Sequence, residues 1–221
     1  MKRLLMILLV LVFMLTLIGC GDKPVTNGDN NTENGNNIIK EHDISDDWTD
    51  LEFVLGNEKY SFPLYYQMLN SKGWQLEKND ELPTKKLTFE SYEMWNSNFY
   101  DEKQDLYAYI YVDFQNYENE TKKMKDCKIW SIFLCRFDDS GKEIEKGYEI
   151  KLAKGIKWGS TEEEIVAAYG EVEEGDRIDG GVSSCILVYY SIIDDMMVQM
   201  NLFIGYEEGL FMAELAQYPL E

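Results

Sequence analysis

Leu106-Tyr107-Ala108-Tyr109-Ile110-Tyr111-Val112-Asp113-Phe114 decides how the folded part of this chain is read. Leu106, Ala108, Ile110, Val112 and Phe114 alternate with Tyr107, Tyr109, Tyr111 and Asp113. That is the period of two of a β-strand, with one aliphatic face and one row of tyrosines. The aliphatic face needs a covering layer. The next run, Cys127 to Phe137, is apolar on both sides: Ile129, Phe133 and Phe137 fill one face, and Trp130, Ile132 and Leu134 fill the other. Such a strand needs two covers, or one cover and a partner. Tyr107, Tyr109, Tyr111 and Trp130 are therefore the candidate partner-binding face, because tyrosine and tryptophan offer large amphipathic area with few rotamers to freeze. The alternative reading of the same rings is core packing or contact between modules.

Working outward, Phe53-Val54-Leu55 reads as a short strand, and Pro63 suits the first turn of a helix carrying Tyr65, Met68 and Leu69, with Gly73 as its C-terminal cap. Leu87 to Trp95 reads as a further strand. In the second half, Ser160-Thr161-Glu162-Glu163 fits a capping box with Ser160 as the cap. Ile165, Ala168, Tyr169 and Val172 then recur on one helical face before Gly170. Strands follow at Ser184 to Ile192, Met196 to Ile204 and Leu210 to Leu215, with turns at Asp194-Asp195 and Glu207-Glu208-Gly209. A shift of 97 residues (170 minus 73) lays Gly170 on Gly73 and the strand from Ser184 on the one from Leu87. The expected fold class is α+β: two related modules, 48–138 and 139–221, each a short helix packed on an antiparallel sheet of three to four strands.

The start of the chain carries a different signal. Lys2 and Arg3 precede an apolar run, Leu4 to Ile18, interrupted only by Thr16. This has the charged and apolar regions of an export signal, and it falls short of the roughly 20 residues that a spanning helix needs. Leu17-Ile18-Gly19-Cys20 resembles the lipobox of bacterial lipoproteins. The resemblance implies diacylglyceryl transfer to the Cys20 thiol and cleavage before it, so that 1–19 is a signal peptide and the mature chain has 202 residues (221 minus 19). Two acyl chains anchor stably where one myristoyl does not. Residues 20–47 are then the lipidated cysteine and a flexible linker dominated by Asn, Asp and Gly. The expected location is the extracytoplasmic face of the cell membrane, with the membrane itself as a partner through Cys20.

A second resemblance covers Gly155-Ile156-Lys157-Trp158-Gly159-Ser160-Thr161-Glu162-Glu163-Glu164-Ile165, ending at Tyr169-Gly170. It resembles the opening of small exported modules, among them BamE/SmpA-type envelope lipoproteins and the tandem β-lactamase-inhibitor protein. It implies a helical segment on an antiparallel sheet, duplicated in the inhibitor, with the open sheet face used for partners. A motif of this kind speaks to fold more than to activity.

Composition narrows the function. The formal charge of −20 becomes −22 once Lys2 and Arg3 leave with the signal. Such a body repels phosphate backbones, so no nucleic-acid partner is expected. His42, the sole histidine, lies in the linker, which leaves no Ser-His-Asp or Cys-His arrangement and no histidine-based metal cluster. With Cys20 assigned to lipid, Cys127, Cys135 and Cys185 remain, an odd number read as buried thiols. Asp138-Asp139-Ser140-Gly141 reads as a turn rather than a calcium loop. Carboxylate pairs carry no signal in a chain with 41 acids. The expectation is a membrane-anchored binding or interaction module, not an enzyme, without metal or cofactor, for an unknown protein or small-molecule partner. Alternatives are an envelope-assembly or structural lipoprotein and, after it, a carboxylate- or thiol-dependent enzyme.

Overall fold

The structure is a computed structural model that describes residues 43–76, 83–84, 89–118, 120–137, 142–144 and 147–220. The export signal, Cys20, His42, most of the linker and the turn at Asp138 to Gly141 lie outside the described residues. The strands are β1 (Glu52–Leu55), β2 (Glu58–Ser61), β3 (Leu64–Tyr65), β4 (Trp74–Leu76), β5 (Pro83–Thr84), β6 (Phe89–Asp101) and β7 (Leu106–Gln115). They continue with β8 (Lys122–Lys123), β9 (Lys128–Cys135), β10 (Ile150–Lys151), β11 (Arg177–Asp179), β12 (Ser184–Ile193), β13 (Met196–Gly205) and β14 (Gly209–Pro219). Two α-helices are described, α1 (Tyr66–Asn70) and α2 (Glu162–Tyr169).

The large sheet runs in the order β11-β12-β13-β14-β9-β7-β6-β4, antiparallel throughout, with β3 also paired to β9. Its inner face is the aliphatic one anticipated for β7: Ala108, Ile110, Val112 and Phe114 are each 1% exposed or less. Cross-strand register extends that face. Ile110 sits opposite Leu134 and Leu134 opposite Ala213, while Val112 sits opposite Ile132 and Ile132 opposite Leu215. Leu215 then meets Met200, and Met200 meets Tyr189. Phe53, Leu55, Tyr60 and Ile150 of the small sheet β10-β1-β2 belong to the same buried cluster, as do Leu69 of α1 and Ile165 of α2. The Tyr66 ring lies 6.5 Å from Phe114, and the Tyr169 ring 5.5 Å from Tyr189.

The α+β expectation is overturned: the body is mostly antiparallel β-sheet, not modules built of a helix packed on a sheet. Eight strands spaced about 4.8 Å apart span roughly 34 Å. Helices of five and eight residues are only about 8 and 12 Å long, so most of the cover falls to strands and loops. The N-terminal cap of α2 is also displaced by one residue. Thr161, not Ser160, accepts from the Glu164 amide at 3.3 Å, and the Glu164 carboxylate accepts from the Thr161 amide at 3.0 Å. The Ser160 hydroxyl instead accepts from the Lys157 amide.

The strand order has a plain internal correspondence. α1, edge strand β4 and the meander β6-β7-β9 are matched by α2, edge strand β11 and the meander β12-β13-β14. The two meanders meet where Ser131–Cys135 of β9 pair with Met212–Ala216 of β14. A second link crosses in the small sheet, where β10 pairs with β1. At the start of β14 the backbones come too close for any side chain: a Cβ on Gly209, whose φ is +69°, would lie 2.3 Å from the Gly159 carbonyl oxygen.

Candidate binding face

Register places chemistry on the outer face one rung at a time. One rung reads Glu93, Tyr111, Phe133, Glu214, Asn201 and Val188 from β6 across to β12. The next reads Ser91, Asp113, Ser131, Ala216, Gln199 and Tyr190. On the other side of the first rung, Trp95 is opposite Tyr109, and Cys135, Met212, Phe203 and Ile186 follow in line. These rungs hold three carboxylates, a run of aromatic rings and neither Lys nor Arg.

The tyrosine row lies where the period of two puts it. Tyr107 is 42% exposed, and its ring sits 4.5 Å from Tyr100 and 5.0 Å from Trp95. Tyr109 and Tyr111 are half-buried, with rings 5.2 Å apart. Trp130 is elsewhere. It is 7% exposed, its indole N–H donates to the Gln115 carbonyl at 3.1 Å, and its ring meets Tyr117 edge-on. Gln115 and Tyr107 stand at opposite ends of β7, about 26 Å apart at 3.3 Å per residue, so Trp130 does not join the tyrosine row.

A β-bulge explains the separation. Phe114 pairs with Ile129 and Asp113 pairs with Ser131, which leaves Trp130 as the extra residue on β9. The bulge also moves Ile129 onto the inner face with Ile132 and Leu134. The expected grouping of Ile129 with Phe133 is corrected accordingly.

Sequence reasoning passed over the polar centre of the face. Glu214 is 9% exposed and Asp113 5% exposed, on strands that are otherwise apolar at those depths. Ser131 donates to Glu214 Oε1 at 3.2 Å, and Asn201 donates through its amide to Oε2 at 2.5 Å. The Gln199 amide donates to Asn201 Oδ1, and the Ser91 hydroxyl donates to Asp113 Oδ1. Burial pushes the Glu214 carboxyl up to about 7, and the nearby Asp113 adds to this against the opposing pull of Asn201 and Ser131. Burial likewise raises Asp113, and it raises the Tyr218 hydroxyl, which also feels Glu214 and Asp113. None of the ion pairs among the described residues involves Asp113 or Glu214. The signal available in the sequence was a lone acid inside an apolar run, Met212-Ala213-Glu214-Leu215-Ala216, and a lone acid ending the tyrosine row.

Other candidates contribute little to a site. Cys127, Cys135 and Cys185 form no disulfide, and burial, reinforced by the neighbouring Glu162 carboxylate, raises the Cys185 thiol to about 11. That suppresses the thiolate. Two shallow clefts, one lined by Asp43, Lys151 and Lys154 and the other by Arg136, Glu143 and Tyr148, include neither Asp113 nor Glu214. No family model, curated protein or solved structure matches the chain.

Proposed function

We propose that this protein is a lipid-anchored extracytoplasmic binding module that holds a partner on the outer face of its large sheet. The observation that carries the reading is the aromatic row on that face: Tyr107, Tyr109 and Tyr111 lie beside Trp95, with Tyr107 left 42% exposed. Rings already packed on one another are held in place, so a partner meets them at low entropic cost. Trp130 is not part of this face, since its ring is buried and its N–H is spent on backbone. The reading assigns no chemistry to the buried acids, because both oxygens of Glu214 already accept hydrogen bonds within the sheet.

The test uses the full-length chain in its own membrane, with a photo-crosslinking amino acid at Tyr107 or Tyr111 and, as controls, at Lys59 or Glu207. A discrete adduct is expected from the two face positions and none from the controls. Equal yields at all four positions, or none at any, contradicts the reading. The anchor is checked separately by growth with a clickable palmitate: label is expected on the wild type and is lost in Cys20→Ser.

A further inference from the structure

We propose that the seam between β9 and β14 is a pH-sensitive joint, held shut by one proton that Asp113 and Glu214 share through the Ser131 hydroxyl and loosened when that proton leaves. The inference does not depend on any partner. Its ground is the hydrogen-bond inventory at the seam. Asp113 on β7 stands directly across from Ser131 on β9, and Glu214 on β14 lies one rung further on, opposite Phe133. All three are buried. The Ser131 hydroxyl oxygen is 3.2 Å from Glu214 Oε1, and it also hydrogen-bonds Asp113 and the Tyr218 hydroxyl. A serine hydroxyl has one hydrogen to give and two lone pairs that receive. With a proton on Glu214 all of these are used: Ser131 accepts from Glu214 and Tyr218 and donates to Asp113. With no proton on the pair, a single hydrogen is left between two carboxylates. Each carboxylate keeps one other donor, Ser91 for Asp113 and Asn201 for Glu214, and both donors are neutral. None of the described ion pairs brings a cation to either. Two like charges then stand on either side of β9 in a buried site, the arrangement that keeps one of two carboxyls protonated.

The cluster sits where the sheet opens most readily. β9 and β14 pair only between Ser131–Cys135 and Met212–Ala216, whereas β12 and β13 pair from Ser184 to Ile193. Ser131 and Ala216 form the last rung of the shorter ladder, and ladders open from their ends. The titratable groups around the pair are Glu93 on β6, Tyr111 on β7, Tyr117 just beyond it, Tyr218 on β14 and Tyr190 on β12. The facing residues of β13, Asn201 and Gln199, do not titrate, and Lys128 of β9 holds its ammonium 5.6 Å over the Trp130 ring. Glu214 is the member that keeps the proton, because burial and the charge of Asp113 hold its carboxyl up at about 7. A group raised from an ordinary 4.5 in the closed seam favours closure while it is protonated. Opening therefore gains about tenfold between pH 6 and pH 8.

The experiment is backbone hydrogen exchange read by mass spectrometry on full-length protein in detergent micelles at pH 6 and pH 8, with exchange times scaled to the intrinsic rate at each pH. Peptides covering Ser131–Cys135 and Met212–Ala216 are expected to lose about tenfold in protection from pH 6 to pH 8. Peptides covering the β12–β13 pairing should change by less than about twofold. Glu214→Gln places a permanent N–H donor where the protonated carboxyl stood, so its seam should show no step. Asp113→Asn removes the neighbouring charge that helps to raise Glu214, so its step should shift to lower pH, and this variant decides the matter if Glu214→Gln does not fold. Three results overturn the inference: equal loss of protection in β12–β13, which makes the effect one of global stability; a step kept by Glu214→Gln; or a step unmoved in Asp113→Asn, which shows that the pair does not share the proton.

Discussion

Glu214 carries the sharpest consequence at the scale of single residues. Its carboxyl is lifted from an ordinary 4.5 to about 7 in the folded protein, chiefly by burial. A raised folded value means that folding favours the protonated form. The stabilisation is whole below the unfolded range near 4.5, declines as pH rises, and is gone above about 7. The size is roughly 3 kcal/mol. Carboxylates held low, such as Glu52 beside Lys59 and Glu162 beside Arg177, act in the opposite sense but at lower pH. We predict that urea unfolding shows the wild type less stable at pH 8 than at pH 5.5, and that Glu214→Gln removes most of that slope. A slope unchanged in the variant contradicts the assignment. The tyrosine row was legible because alternation alone places Tyr107, Tyr109 and Tyr111 together. Asp113 and Glu214 were not, since 100 residues separate them in sequence (214 minus 113 is 101) and only the pairing of β7 with β9 and β9 with β14 brings them near.

At the scale of elements, strand centres were legible and strand irregularities were not. Period-two patterning located β7, β12 and β13 to within two residues, because side chains on a half-buried sheet must alternate. One bulge at Trp130 then reversed the face assignment of Ile129 and withdrew Trp130 from the site, and nothing in a single sequence announces where an extra residue is inserted. The helices failed for a related reason. Pro63 and Gly73 bracketed the first helix and apolar spacing marked the second, but neither signal reports length, and α1 spans only Tyr66–Asn70, with Pro63 outside it and Tyr65 in β3. The β12–β13 turn gives a direct test. Asp194 and Asp195 both hold positive φ, 49° and 60°, the requirement of a two-residue turn that favours Asn-Gly. Asp195→Gly is expected to stabilise the protein by about 0.5–1 kcal/mol in urea unfolding at fixed pH. Loss of stability would show that the aspartate side chain, rather than the backbone, holds the turn.

For the whole molecule, the pairing of β9 with β14 turns two meanders into one sheet and creates the face on which the functional account rests. The aliphatic side is closed by the small sheet, the short helices and their loops. On the proposed reading a partner meets the aromatic side, where Tyr107 is left 42% exposed. Tyrosine footprinting tests this most directly, with full-length protein labelled by tetranitromethane either on intact cells or after purification. Tyr107 and Tyr190 lie on the face and are 42% and 47% exposed, whereas Tyr206, 51% exposed, lies in the turn between β13 and β14. The account predicts that Tyr107 and Tyr190 are protected on cells and become reactive on purification, with Tyr206 reactive in both. Equal reactivity of Tyr107 and Tyr190 in the two states would contradict it.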